Sequence, residues 1–453
     1  MASVLRSGNG LARRLQVTVR DAEILRLAVP ALGALVAEPL FLLADSAIVG
    51  RLGTLPLAGL GIAGAALSTA VSVFVFLAYG TTASVARRLG AGDEGGALAQ
   101  GVDGMWLALG LGIVTALVAV PAAGPVVDVL GASAAARPYA VTYLHVSLLG
   151  LPGMLVVLAA TGVLRGLQDT RTPLVVAAAG AGLNVGLNLL LVHGVHLGIA
   201  GSALGTASTQ VLMAVALAVV VGRGVRRTGA RVRPHPLGVL RTALGGLPLL
   251  VRTLTLRAAL LLTTAVAAAQ GDASIAAHQV AMTVWTTTAL ALDALAIAAQ
   301  ALVGRALGAG DVARVRSDVR RMSQWGVAVG VVLGLVVGLG SGAIAHFFAP
   351  AADVRSQLAA ALVVVAASLP LAGWVFVLDG VLIGAGDGRY LARAGLVTLA
   401  VYAPLAVLVL VNAPPGRSGL VWLWVAFAGA FMLARLVTLV RRERSGRWMV
   451  TGA

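Results

Sequence analysis

The chain has 453 residues, 59% of them hydrophobic and 11% charged, with mean hydropathy +0.97, no cysteine and a formal net charge of +16. Apolar runs of about 20 residues recur from end to end, which excludes a water-soluble domain and points to a polytopic helical membrane protein; they are twice the length of the alternating segments of a closed β-barrel. The absence of cysteine removes disulfide frameworks, thiol chemistry and Cys-ligated metals, and the basic residues are all arginines at span ends, not clustered with aromatics as nucleic-acid binding requires.

Residues 1–23 hold no compact apolar core before a small-residue cleavage site, so no cleaved signal peptide is expected and the segment reads as a cytoplasmic N-terminal stretch. Twelve transmembrane helices then follow. The first six lie near residues 24–50, 55–87, 97–122, 138–164, 172–194 and 198–222, and the last six near 242–269, 274–306, 322–346, 357–384, 390–411 and 418–440. Residues 223–241, GRGVRRTGARVRPHPLGVLR with its preceding glycine, form a polar linker between the halves, and 441–453 a basic tail. With the N-terminus in the cytoplasm, 27 of 33 arginines fall in inside segments and only Arg51, Arg137, Arg355 and Arg417 outside. This asymmetry predicts both termini on the cytoplasmic side of the cell membrane.

The two halves repeat. VARRLGAGD (Val85–Asp93) matches VGRALGAGD (Val303–Asp311), and VLRGLQDTR (Val163–Arg171) matches VLIGAGDGR (Val381–Arg389). Both matches, and the pairs Pro30 with Pro248 and Pro152 with Pro370, share one offset of 218 residues. Six helices per half is an even number, so the halves share one orientation. The fold expected is all-α, two six-helix bundles in a parallel repeat with a path at their interface.

The first span carries Asp45, an intramembrane acid, which marks a functional site because an ionised carboxylate is costly in hydrocarbon. Superposing the halves sets Asp45 on Thr263, Asn184 on Tyr402, Asn188 on Ala406 and Thr206 on Trp424. A polar set therefore exists in the first half only. Asn184 and Asn188 are four apart and share a helix face, so the fifth and sixth spans can supply two amides and a hydroxyl to the same pocket. Burial favours a neutral carboxyl, whereas amide donors or a bound cation favour the carboxylate, so proton and cation would compete there. The competing reading is interhelical bonding alone, worth about 0.6 to 2 kcal/mol per contact.

Glu38 precedes Asp45 by two turns and is followed by Pro39, which removes a backbone donor and makes the helix bendable. The pair is expected to gate, or Glu38 simply to bond a neighbouring helix. In the second half, Arg252, Arg257, Asp293 and Asp379 fall inside spans. Arg257 and Asp293 both sit near span centres and are expected to pair, a mainly structural role. His278 and Gln279 open the eighth span, where they can touch solutes or bond within an interface. His193 and His196 flank a turn with no further ligand candidates, so no metal site is expected. The two LGAGD turns lack the Lys and Ser/Thr of a phosphate loop; helix-ending glycines followed by a capping Asp explain them. No HExxH or GxSxG motif is present, and no nucleotide-binding module, so neither an enzyme nor an ATP-driven pump is expected.

The segments LFLLADSAIVGRLGTLPLAGLGIA, LRGLQDTRTPL with GLNVGLNLLL, and AAHQV through ALDALAIAAQALVGRALGAGD to VLDGVLIGAGD give the chain, over about Ile24–Val440, a resemblance to the MATE (multidrug and toxic compound extrusion) transporters, and within them to the DinF-like branch. The resemblance implies two lobes forming a V-shaped cavity that alternately faces either side. It implies export of amphipathic, often cationic, small molecules against an inward H⁺ or Na⁺ gradient, with no cofactor and by a monomer. Asp45, Asn184, Asn188 and Thr206 fall on the positions of the family's first-lobe cation site. Asn188 departs from members with Asp there, and Ala372 stands where the second-lobe Na⁺ site of another branch needs an acid, with Asp379 two turns away. H⁺ coupling is therefore the expectation, with Na⁺ coupling as an alternative. A lipid-linked oligosaccharide flippase of the same architecture is a further alternative, disfavoured because only Arg252 and Arg257 are available to hold a diphosphate.

Overall fold

The computed structural model describes residues 2–452, with side chains described from residue 19 onward; Arg6, Arg13 and Arg14, part of the arginine asymmetry, lie outside the residues whose side chains are described. The first half comprises α1 (Ala2–Gly50), α2 (Thr54–Phe74), α3 (Phe76–Gly90), α4 (Glu94–Val129), α5 (Arg137–Leu148), α6 (Leu151–Gly166), α7 (Arg171–Asn188), a π-helical turn π1 (Leu189–Gly194) and α8 (Gly198–Thr228). The second comprises α9 (Pro236–Ala269), α10 (Asp272–Gly308), α11 (Val312–Phe348), α12 (Ala352–Gly384), α13 (Gly388–Asn412), α14 (Arg417–Trp424), π2 (Val425–Phe431) and α15 (Met432–Ser445). Among the described residues eleven continuous spans are long and apolar enough to cross a membrane, and α5 with α6, bent by 52°, makes the twelfth. The helix of the first span begins well before residue 24, at Ala2, with its membrane-length apolar part at Val19–Gly50.

The bend shows how the same local signal resolves differently in the two halves. Pro152 opens α6, while its repeat mate Pro370 lies inside the unbroken α12. The difference lies two residues earlier. Gly150, where the second half has Ser368, packs so closely on α8 that an added Cβ would stand 2.7 Å from the Ala207 Cα. Glycine permits that approach, and the proline behind it supplies the missing donor that lets the helix break.

Both LGAGD turns end a helix with a left-handed glycine, Gly92 (φ 79°) and Gly310 (φ 74°). The following Asp then caps the next helix: Asp93 accepts from the Gly96 amide at 2.8 Å and Asp311 from the Arg314 amide at 2.9 Å. These turns also bring the halves together. An added Cβ on Gly90 would run into the Arg305 carbonyl, and one on Gly308 into the Arg87 carbonyl. Each contact is the other displaced by 218 residues, so α3 and α10 cross about a pseudo-twofold axis with no side chain between them.

Further contacts between the halves gather at this end, which also carries the C-terminal tail and is called the tail face below. Arg321 makes a two-pronged pair with Asp21, both contacts at 2.6 Å, and Arg314 pairs with Glu23 at 2.8 Å. Arg87 donates to the carbonyls of Ala385 (2.8 Å), Val450 (2.6 Å) and Gly452 (3.1 Å). Cross-half hydrogen bonds of this kind are recorded at the tail face, and apolar packing of Ala31 with Ala294 and Ile297 lies just inside it. The linker is pinned to α4, whose buried Asp103 accepts from Arg231 and from the His235 amide, each at 2.9 Å.

Candidate functional site

Asp45 lies five residues before the end of α1, in the half of the molecule away from the tail face. It is 1% exposed, and Asn184 and Asn188 are fully buried. Asn188, the last α-helical residue before π1, donates through Nδ2 to Asp45 Oδ1. Thr206 Oγ1 donates to Oδ2 at 3.1 Å, and the Tyr143 hydroxyl approaches the same oxygen at 3.5 Å. Asn184 Nδ2 donates to Thr206 Oγ1 at 3.2 Å, while its Oδ1 accepts from Asn188 at 3.3 Å. The four residues singled out from sequence thus meet at one point. They form a ring in which each group donates to the next and both open ends terminate on the carboxylate.

Three features of the ring bear on its chemistry. No Arg or His stands within ion-pair distance of Asp45 among the described residues, so the charge is held by neutral donors alone. Asn188 Oδ1 is buried and has no donor among the described residues. This oxygen sits over Gly205, where an added Cβ would collide with it, so the glycine makes room for the amide. Tyr143 is the member that the sequence reading missed. The same 218-residue superposition would have found it, since its mate is Ala361.

The second half fills the matching space with aromatics. Thr263 and Tyr402 share a 2.6 Å hydrogen bond where Asp45 and Asn184 stand in the first half, and fully buried Trp424 replaces Thr206. Trp285, Phe427 and Phe431 complete the cluster, with ring centroids 5.3–6.4 Å apart. His278 belongs to this core, fully buried 5.6 Å from the Trp424 ring and bonded to Thr264 at 3.2 Å; Gln279 beside it is exposed.

The expected pairing of Arg257 with Asp293 is corrected by the structure. Arg252 is the paired arginine: it donates two hydrogen bonds to Asp379, which Arg435 also approaches at 3.4 Å. Arg257 is exposed and makes no ion pair among the described residues, and Asp293 has none either, lying only in the field of Arg165 and Arg252. The cause is azimuth. Five residues turn a helix by roughly 140°, so if Arg252 faces inward, Arg257 faces away. Glu38 and Pro39 are exposed, two turns from the Asp45 ring, and Glu38 has no partner among the described residues.

Two parallel six-helix halves, one of them holding a buried carboxylate in a ring of neutral donors, define a secondary transporter rather than an enzyme. A family model, MatE, matches residues 30–190 and 248–408, two copies displaced by the same 218 residues. The chain belongs to the MatE family of membrane transporters. It is 29% identical over 444 residues to DNA damage-inducible protein F of Escherichia coli, covering 95% of each chain. It is 30% identical over 451 residues to a probable multidrug resistance protein NorM of Pseudomonas syringae, covering 94% of this chain and 95% of that one. Among solved structures, that of a point mutant of the Vibrio cholerae MATE transporter VcmN superposes with a TM-score of 0.85 at 21% identity, over 96% of this chain and 99% of that one.

Proposed function

We propose that the protein exports amphipathic, cationic small molecules across the cell membrane in exchange for protons, with Asp45 as the proton site. Residues 24–222 and 242–440 serve as two lobes that rock about the tail face, which lies in the cytoplasm as the arginine asymmetry demands. The relatives support export of small molecules, and Glu38 and Asp293, without an ion-pair partner among the described residues, support a cationic substrate.

The observation that carries proton coupling is the polarity of the hydrogen-bond ring. Every run of donors in it ends on the carboxylate, which as an anion only accepts. A proton on Asp45 turns one end from acceptor to donor and requires an acceptor in return. Asn188 Oδ1, buried and without a donor, is that acceptor once its amide rotates. Rotation of Asn188 reverses its bond to Asn184, and Thr206 then donates to Asn184 instead of to Asp45. One proton therefore rewires contacts among the first, fifth and sixth spans, which is how a local protonation biases the packing of a lobe.

The test uses purified protein in liposomes, a fluorescent cationic dye, and an imposed pH or Na⁺ gradient, for wild type and Asp45→Asn. Dye movement driven by pH and lost in Asp45→Asn is expected. Movement driven by Na⁺ alone overturns the coupling, and none under either gradient moves the lipid-linked oligosaccharide flippase to the front. That last reading is weakened by the engagement of Arg252 with Asp379, which occupies one of its two candidate arginines and leaves Arg257 alone for a diphosphate.

A further inference from the structure

On the tail face, α11 and α15 both pack on α12 and leave a groove of about 870 Å³ between them. Arg316, Arg320 and Arg444 rim it, with Glu443 beside them, and Trp374 and Ala328 lie at its deep end. Arg316 and Arg320 are one turn apart on α11, so both face the same way. Neither they nor Arg444 meets an acid or a hydrogen-bond acceptor among the described residues, whereas Arg314 and Arg321 of the same helix are tied to Glu23 and Asp21. The groove thus carries three cations against one anion. Beyond it, exposed Val332, Leu335 and Val336 on α11 and Leu433 and Val437 on α15 continue both walls as bare hydrocarbon surface.

The repeat shows that this groove is not inherited from the common fold. The first-half mates of Arg316, Arg320 and Glu443 are Leu98, Val102 and Val225, all buried in one cluster with Val221 and Leu217, and they close the seam between α4 and α8. Trp374 replaces Val156. The need for arginines on one membrane side would be met by any exposed position. It does not explain Arg316 and Arg320, whose mates seal the other half; the mate of Arg444 is itself an arginine, Arg226.

We propose that the groove binds an anionic phospholipid of the tail-face leaflet, its phosphodiester between Arg316, Arg320 and Arg444 and an acyl chain running past Ala328 toward the exposed apolar walls. The distance from Arg320 to Ala328, about 12 Å along the helix, suits a headgroup at the interface and a chain in the hydrocarbon. Basic pockets between spanning helices recognise such headgroups, each arginine contributing a factor of about five near a membrane surface.

The experiment is native mass spectrometry of the full chain in detergent, titrated with an equimolar mixture of phosphatidylglycerol and phosphatidylcholine. Three arginines opposed by Glu443 predict a preference for phosphatidylglycerol of about 25-fold. The variant Arg316→Gln/Arg320→Gln/Arg444→Gln is expected to lose it, while Arg389→Gln/Arg393→Gln, arginines elsewhere in the chain, retains it. Equal retention of the two lipids by wild type, or loss in both variants alike, overturns the proposal. If the triple variant does not fold, Ala328→Trp decides: filling the deep end should expel the bound lipid, and retention at the wild-type level refutes the placement. Inorganic phosphate is the last arm, and displacement of the lipid by phosphate at equal concentration would mean a free-anion site instead.

Discussion

Gly205→Ala tests the geometry of the Asp45 ring without touching a polar atom. The added methyl would occupy the space of Asn188 Oδ1, forcing that amide off its rotamer and away from the carboxylate. A hydrogen bond to a charged acceptor is worth about 1.5–3 kcal/mol, so the single variant should be destabilised by about 2 kcal/mol. Alanine alone favours a helix over glycine by about 0.5–1 kcal/mol, and this gain is masked while Asn188 is present. In an Asn188→Ala background the collision disappears, and the same Gly205→Ala should then stabilise by about 0.5 kcal/mol. The cycle therefore predicts a coupling energy of about 2–3 kcal/mol between the two positions. Reversible unfolding in mixed SDS micelles gives the four free energies needed. Equal effects of Gly205→Ala in the two backgrounds would show that the amide does not rest on the glycine, and the ring as described would fail.

The buried charges of the second half give a paired expectation. Arg257→Ala should accumulate to the wild-type level, judged by detergent-solubilised monodisperse yield, whereas Arg252→Met should lose about 3 kcal/mol by stranding part of the Asp379 charge; Arg252→Met/Asp379→Leu should recover most of that. Within the ring, Tyr143→Phe removes a long contact and should cost under about 1 kcal/mol, while Thr206→Val also strands the Asn184 amide and should cost about 2 kcal/mol in the same unfolding assay. The absence of native cysteine makes trapping clean: Asp21→Cys/Arg321→Cys joined by a short bis-maleimide should stop dye transport, and transport that persists after complete cross-linking would show that the tail face need not open.

Much of this was legible because depth and repetition are one-dimensional. The spans follow from apolar length, and the offset of 218 residues separates what both halves share from what one half owns, which isolates Asp45, Asn184, Asn188 and Thr206. Direction around a helix is harder to read. Arg257 and Asp293 lie at similar depth, yet which of two arginines five residues apart looks inward depends on how α9 is rotated against α12 and α15. The two readings of His278, solute contact or interface bonding, could not be separated for a related reason: the aromatic cluster that buries it is assembled from α10, α13, α14 and π2, which are distant in sequence. The bend between α5 and α6 needed a neighbour too, since the approach of Ala207 gives Gly150 its meaning.

The bare crossing of Gly90 and Gly308 makes the tail face a fulcrum. If the lobes rock about this joint as proposed, a rotation of about 15° at one surface of a 30 Å hydrocarbon layer swings the opposite ends by about 8 Å. A modest tilt is thus enough to admit a drug-sized molecule at the far side. For the tail face to open in turn, the two glycine contacts, mates under one axis, must part together with the Asp21 and Glu23 ion pairs.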